Sequence, residues 1–198
     1  MKLIILGLGN PGEEYEGTRH NTGRMLVDVL AKKMKSADWS FDAKTKTWAS
    51  VYKDKKNEII FLKPDTFMNK SGAAVSSVIS SPKKAETLIV IHDDLDLPIG
   101  TIKMSWNRGS GGHRGVESVK RAVKTEGFSR LRIGISKAAA KGGVKKPQGE
   151  KDVGDFILGK FKPLEEKALL LASKKIFSVV ETFLERGRDQ AIAVANTR

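Results

Sequence analysis

The sequence predicts an α/β fold, a single domain whose mixed, twisted β-sheet is flanked by helices on both faces. Short apolar runs bounded by glycine or polar residues alternate with amphipathic stretches of helical period along the 198 residues, and this alternation is typical of α/β proteins. One pair of runs is joined by the polar turn DKKN, which predicts an antiparallel hairpin and therefore a mixed sheet.

The first half of the chain contains short elements with short connections. In order, the predicted elements are a buried strand at Leu3–Leu6, a helix at about Gly23–Lys35, hairpin strands at 47–53 and 58–64, a helix at 72–80 and a buried strand at 87–93. Asn21 or Thr22 is the predicted N-cap of the first helix, and Ser71 that of the second, because their side-chain oxygens can accept from the free N–H groups of a first turn.

The second half continues the alternation and adds a basic connection. In order, the predicted elements are a strand at 100–106, a loop at 107–115, a helix at 116–127 closed by Gly127, a strand at 130–136, a basic mobile loop at 137–151 and C-terminal helices within 163–198. Pro163 lies in the first turn of the longer C-terminal helix, where proline is well tolerated. No internal repeat divides the chain, so we expect one domain over residues 1–198.

Composition excludes several classes of protein. A chain with 39% hydrophobic and 30% charged residues is typical of globular proteins, and without cysteine it can form neither disulfides nor thiolate metal sites. The N-terminal apolar run is too short for a signal peptide, and no stretch reaches the roughly 20 apolar residues of a membrane helix. We therefore expect a cytoplasmic protein without a membrane segment.

The positive charge is concentrated in one part of the chain. The formal net charge is +13, and residues 101–151 account for +10 of it, with thirteen Lys or Arg residues against three Glu. Such an uneven distribution favours a polyanionic partner, although a lysine-rich surface that only aids solubility is the alternative.

The segment GLGNPG, Gly7–Gly12, matches the G-x-G-x-x-G pattern of dinucleotide-binding turns. In such a turn the helix begins at the glycines, and an acidic residue about 20 positions later holds the ribose. Here the segment EEYEGTRHN intervenes, and Lys32 and Lys33 occupy the later position. The pattern therefore predicts a turn that presents Asn10, and no nicotinamide site.

Several polar residues follow strand ends or precede helix starts, where open α/β sheets place their sites. They are Asn10, His20, Asn69, Asp93 and His113. A histidine can take a proton from water, an aspartate can orient its ring, and an asparagine can donate to an oxyanion. Since no serine lies in a nucleophile-elbow context and there is no cysteine, a water nucleophile is the simplest hypothesis.

Each of these residues also has a purely structural interpretation. An asparagine between glycine and proline is usually part of a turn, and His92, within a strand, is predicted to be structural. Asp93, Asp94 and Asp96 could instead indicate a metal site, but no ligand-spaced His or Glu accompanies them.

Long motifs give a more specific signal than single residues. The stretches GLGNPGEEYEGTRHNTG, KPDTFMNKSG, IHDDLDLPIG, GSGGHRGV and RLRIGIS, with DFILGKF as a looser match, resemble the bacterial-type peptidyl-tRNA hydrolase family and follow its order over nearly the whole chain. The resemblance implies a monomeric single-domain enzyme without metal or other cofactor. It also implies hydrolysis of the ester between a peptide and the 3′-terminal ribose of tRNA, with no obligate protein partner.

The resemblance also implies residue roles. His20 is the expected base that activates water, and Asp93 is the carboxylate that orients it. Asn10 is expected to contact the substrate near the scissile ester, and Asn69 to help hold the peptide or the water. The residues implied in substrate binding are Asn10, Tyr15, Phe67, Met68, Asn69, His113 and Arg114. Those expected to bind tRNA phosphates are Arg132, Lys103 and Arg108.

The sequence departs from the family pattern at two positions. Arg114 replaces an asparagine that contacts substrate, which adds a fixed charge. Arg132 matches one member of the basic pair that clamps the 5′-phosphate of tRNA, but the other position is Ser105, for which Lys103 or Arg108 is the expected substitute. The alternative function is RNA binding without hydrolysis, as in plant organellar relatives of this fold. Retention of the base and its carboxylate favours the enzyme.

Overall fold

A mixed sheet runs through the middle of the molecule, for which a computed structural model describes residues 1–140 and 142–197. Its strands are β1 (Lys2–Gly7), β2 (Ser40–Asp42), β3 (Thr47–Lys53), β4 (Glu58–Pro64), β5 (Leu88–Pro98), β6 (Ile102–Trp106), β7 (Ser129–Ala138) and β8 (Val144–Lys145). They lie in the order β2-β3-β4-β1-β5-β7-β6, with β8 paired to β7. Strands β4, β1, β5 and β7 are mutually parallel and the outer pairings are antiparallel. The carboxyl ends of the four parallel strands therefore meet at one edge.

Helices cover both faces of this sheet. The α-helices are α1 (Thr22–Lys33), α2 (Ala73–Ser76), α3 (Arg114–Val123), α4 (Glu150–Leu158), α5 (Pro163–Arg186) and α6 (Arg188–Asn196). Because side chains alternate along β1, Leu3 and Ile5 pack with α1, α5 and α6, whereas Ile4 and Leu6 pack with α2 and α3. The predicted fold class is thus confirmed. No helix in the described part of the chain has the length and apolar character needed to cross a membrane.

The glycines of the GLGNPG segment serve close packing and begin no helix. After β1 the chain forms short 3₁₀ turns, and α1 starts only at Thr22. A Cβ atom on Gly7 would lie 2.4 Å from the carbonyl oxygen of Gly23, and one on Gly23 would lie 2.6 Å from the amide nitrogen of Leu8. The first turn of α1 therefore packs directly against the end of β1. Because this helix does not begin at the glycines, the segment lacks the geometry of a dinucleotide-binding turn.

Some elements differ from the sequence prediction. The short edge strand β2 and helix α4 were not predicted, because three exposed residues carry little signal and Gly154 interrupts α4. Strand β5 continues through the acidic residues to Pro98 with a register shift against β7. Part of the predicted loop at 137–151 has regular structure, since β7 extends to Ala138 and pairs with β8. Lys141, in the predicted loop, and Arg198, in the predicted C-terminal region, lie outside the described residues.

Three predicted helix caps differ in part from the structure. Asn21 is the N-cap residue of α1, as predicted, but its side chain makes no cap bond. Ser71 Oγ donates to the carbonyl of Met68 instead of capping α2. Helix α3 ends at Val123, and the next residue, Lys124, has a φ of 58° and makes the left-handed turn that was expected of Gly127. The Asn21 and Ser71 side chains thus bond elsewhere than at the helix starts, and a lysine in a strained conformation takes the place of the expected glycine.

Candidate active site

A cleft of about 1290 Å³ opens at the carboxyl ends of the parallel strands. It brings together most of the predicted site residues, namely Asn10, His20, Phe67, Met68, Asn69, Asp93, Arg108, His113, Arg114 and Arg132. Tyr15 and Lys103 do not line it. Helix α4, which the sequence did not predict, forms one wall through Val153, Ile157 and Leu158.

His20 and Asp93 form a buried hydrogen-bonded pair at the floor of the cleft. Nδ1 of His20 lies 3.1 Å from Oδ1 and 3.0 Å from Oδ2 of Asp93. Since a carboxylate can only accept, Nδ1 carries the proton, and Nε2 keeps its lone pair. Within the described residues Nε2 makes no hydrogen bond, so it is free to accept a proton from water.

His113 provides a second imidazole for the same carboxylate. Its Nδ1 accepts from the backbone N–H groups of Gly115 and Val116 at 3.2 and 3.3 Å, which caps α3. Nε2 therefore carries the proton and donates to Asp93 Oδ1 at 3.0 Å. The three side chains lie close enough to share a metal ion, but a metal ligand needs a lone pair where His113 Nε2 holds a proton. This arrangement favours acid–base chemistry over metal binding.

The charge of Asp93 makes His20 a stronger base than its burial alone would. Burial alone lowers the pKa of His20, but the charge of Asp93 and its hydrogen bond bring it above the ordinary value of 6.5, and the charge of Arg114 opposes this rise. Burial raises the pKa of Asp93, whereas His20 and His113 together hold it well below the ordinary 3.8. Asp93 is therefore ionised when His20 gains or loses its proton.

His92, to which the sequence analysis assigned a structural role, lines the same cleft, and its ring centroid lies 4.7 Å from that of His113. It is buried, and its Nδ1 donates to the carbonyl of Asp93 at 2.7 Å. Burial and the charge of His113 hold the pKa of His92 well below 6.5. His92 thus stays neutral and braces the strand segment that carries Asp93.

The turns after β1 and β4 form the opposite wall. The backbone N–H of Met68 donates to Oδ1 of Asn10 at 2.8 Å, so the amide group of Asn10 is oriented with Nδ2 left for the cleft. Asn69 and Phe67 are exposed, and the Phe67 ring meets Tyr15 edge to face with centroids 6.3 Å apart. Tyr15 therefore supports Phe67 from behind rather than lining the cleft itself.

Basic side chains at the mouth of the cleft are paired with carboxylates. Nε of Arg132 donates to Asp94 at 2.6 Å, and Arg114 contacts Glu150, the first residue of α4, at 2.7 Å. The Arg114–Glu150 pair is largely exposed, so water and salt screen it strongly. A phosphate group can compete with these carboxylates for both guanidinium groups.

Arg130 is a cleft residue that the sequence analysis missed. It is buried, lines the cleft beside Ser105, its cross-strand neighbour, and its guanidinium makes no hydrogen bond to any described residue. Its spacing of two from Arg132 on one strand was the available signal, because such residues share a face. Lys103, by contrast, does not line the cleft, and its ammonium donates to the carbonyl of Asn196.

Comparison with known proteins decides the family. Residues 4–198 match the family model described as peptidyl-tRNA hydrolase. The chain belongs to the peptidyl-tRNA hydrolase family. It is 39% identical over 196 residues to the peptidyl-tRNA hydrolase of Aquifex aeolicus, covering 98% of this chain and 95% of that protein. It is 41% identical over 194 residues to that of a Thermoanaerobacter species, covering 98% of each.

Solved structures of peptidyl-tRNA hydrolases share the whole fold. The crystal structure of the enzyme from Acinetobacter baumannii superposes with a TM-score of 0.85 at 29% identity, covering 98% of this chain and 94% of that one. A peptidyl-tRNA hydrolase crystallised with N-propanol gives the same TM-score at 30% identity. The resemblance found in the motifs is thereby confirmed, together with the hydrolase class and the α/β architecture.

Proposed function

We propose that this chain hydrolyses the ester between the peptide and the 3′-terminal ribose of peptidyl-tRNA, with His20 activating water and without a metal ion. The observation that carries the proposal is the pair of short contacts from Asp93 to Nδ1 of His20, which leaves Nε2 unprotonated at the cleft. Family membership supplies the substrate class.

The reaction needs one proton to move twice. Nε2 of His20 takes a proton from water as the water oxygen attacks the ester carbonyl carbon, and ionised Asp93 stabilises the imidazolium that forms. The tetrahedral intermediate then expels the ribose oxygen, which takes the proton back from Nε2. The products are a peptide with a free carboxyl group and a tRNA with a free ribose hydroxyl.

The remaining cleft residues hold the substrate around this pair. Nδ2 of Asn10 is placed to donate to the carbonyl oxygen as it becomes an oxyanion, since Oδ1 is already occupied by Met68 N–H. Asn69 offers a second amide on the same wall, and Phe67 and Met68 offer apolar surface to the peptide. His113 keeps Asp93 in place through its Nε2–H donor.

For tRNA phosphates we propose Arg132 and Arg108, as expected from the sequence, together with Arg130. All of them line the cleft. Lys103 is dropped from this set because its ammonium is held by Asn196 at 2.9 Å. The family pattern has a basic residue where this chain has Ser105. Arg130 lies beside Ser105, and its guanidinium makes no hydrogen bond to a described residue, so Arg130 is a better substitute for that basic residue than Lys103.

Arg132→Ala and Arg130→Ala are each expected to weaken tRNA binding and to flatten its dependence on salt. Loss of one phosphate contact reduces the slope of log K against log[salt] by about one. Binding of uncharged tRNA at several salt concentrations measures this slope, and Lys103→Ala is the matched control that leaves it unchanged. An unaltered slope in Arg130→Ala would remove that residue from the phosphate site.

Arg114→Asn is expected to move the acidic limb of the kcat/KM profile to higher pH. The charge of Arg114 lowers the pKa of His20, so its removal raises that pKa, and Glu150, left unpaired, acts in the same direction. A pH profile of kcat/KM reports this group in the free enzyme. Arg121→Asn removes the same charge two turns along α3 and serves as the control. A limb that moves to lower pH, or moves equally in both variants, contradicts the assignment.

The function is tested by release of an N-blocked amino acid from blocked aminoacyl-tRNA, in buffer with a chelator of transition metals and no added cofactor. Rapid release supports the metal-free hydrolase. Tight tRNA binding without release would instead favour the alternative, an RNA-binding relative of the same fold. We further infer a cytoplasmic monomer, because one chain supplies every residue of the mechanism and the substrate arises in translation.

A further inference from the structure

Asn21, the residue after His20, makes a two-point hydrogen bond to the backbone of Asn10. Its Oδ1 accepts from Asn10 N–H at 2.8 Å, and its Nδ2 donates to the Asn10 carbonyl at 2.9 Å. Asn21 is only 3% exposed. Within the described residues these are the hydrogen bonds that the Asn10 backbone makes, so Asn21 anchors the backbone of this residue.

The contact requires an unusually close approach. A Cβ atom on Gly9 would lie 3.0 Å from Oδ1 of Asn21, so glycine before Asn10 lets the side chain reach the backbone. The next link is equally direct, since Asn10 Oδ1 accepts from Met68 N–H at 2.8 Å. Asn21 therefore fixes the backbone of Asn10, and Met68 fixes its side chain.

The same 3₁₀ turn, Arg19–Asn21, carries both His20 and Asn21. Any shift of the Asn10 turn relative to Asn21 is therefore a shift relative to the base. We propose that Asn21 is a positioning residue that holds the Asn10 amide in register with His20. This inference rests on the proposed function, in which Asn10 contacts the reacting ester.

The chain contains a matched control for this interaction. Asn196, at the end of α6, makes the same two-point bond to the backbone of Met104, with Oδ1 accepting at 2.9 Å and Nδ2 donating at 3.0 Å. Met104 lies on strand β6 and belongs to the apolar core. Asn196 is not a cleft residue.

The test compares Asn21→Asp with Asn196→Asp in kcat, KM and melting temperature. In each variant a carboxylate oxygen replaces the donor and faces a backbone carbonyl, so both variants are expected to lose melting temperature. Only Asn21→Asp is expected to lose kcat, by about tenfold to a hundredfold, because small misplacements of catalytic groups have effects of this size. Its kcat relative to the parent rises at lower pH, where the protonated carboxyl donates again. Parent-like kcat in Asn21→Asp, with a loss of melting temperature similar to that of Asn196→Asp, overturns the proposal.

A double-mutant cycle of Asn21→Ala and Asn10→Ala separates this proposal from the proposed function. If Asn21 acts through Asn10, Asn21→Ala slows the parent but not the Asn10→Ala variant. Additive losses show that Asn21 acts elsewhere and overturn the inference while leaving the role of Asn10 intact. A parent-like rate in Asn10→Ala overturns both that role and the inference.

Discussion

His20→Ala is expected to reduce the rate of ester hydrolysis by about 10³-fold or more, because it removes the group that takes the proton from water. The affinity for tRNA is expected to stay within about twofold, since the phosphate contacts proposed above involve the arginines of β7 and not His20. Single-turnover release from blocked aminoacyl-tRNA measures the first effect, and equilibrium binding of uncharged tRNA measures the second.

Chemical rescue provides the control for this variant. The truncated side chain leaves space beside Asp93 at the floor of the cleft, so added imidazole is expected to restore part of the activity. A loss of tRNA binding with the hydrolytic rate preserved would show that His20 binds substrate instead of activating water. A melting temperature measured alongside separates either result from unfolding.

Asp93→Asn is expected to cost about 10³–10⁴-fold in kcat, the scale seen when the carboxylate that orients a catalytic imidazole becomes an amide. The amide can present an N–H to Nδ1 of His20, which favours the tautomer that has its proton on Nε2. In that tautomer the nitrogen at the cleft cannot accept a proton from water. Single-turnover rates under saturating enzyme measure the loss.

The same variant has a second signature in its residual activity. Asp93 supplies the charge and the hydrogen bond that raise the pKa of His20, and burial acts against them. Without Asp93 the pKa of His20 falls, so the acidic limb of kcat/KM moves to lower pH. Asp54→Asn is the control, because it removes another aspartate of depressed pKa, about 2, from an exposed turn far from the cleft. Acidic limbs at the same pH in Asp93→Asn and the parent would contradict the pairing.

Much of the fold follows from local sequence. Apolar runs such as Leu3–Leu6 are buried strands because their own residues favour that state, and the hairpin of β3 and β4 follows from two such runs and a polar turn. Elements with little local signal were missed, such as β2 with three exposed residues and α4 with an internal glycine. Their stability comes from what they pack against.

The site was predictable in its residue types but not in its contacts. His20, Asp93 and Asn10 stand at strand ends or before a helix, where side chains of α/β proteins converge. Asn21 looked like a helix cap, yet its side chain bonds to Asn10 eleven residues earlier. Lys103 looked suited to a phosphate, yet its ammonium is held by Asn196.

By itself, then, the sequence determined the fold class, the concentration of positive charge and the set of acid, base and amide groups, because these depend on residue type and near neighbours. Only the tertiary structure decided the protonated nitrogen of His113, the orientation of the Asn10 amide and the position of Arg130 beside Ser105 in the cleft. Each of these depends on a hydrogen-bond partner or neighbour brought close by folding, often from a distant part of the chain. Residue type sets what a side chain can do, and its partners in space set what it does.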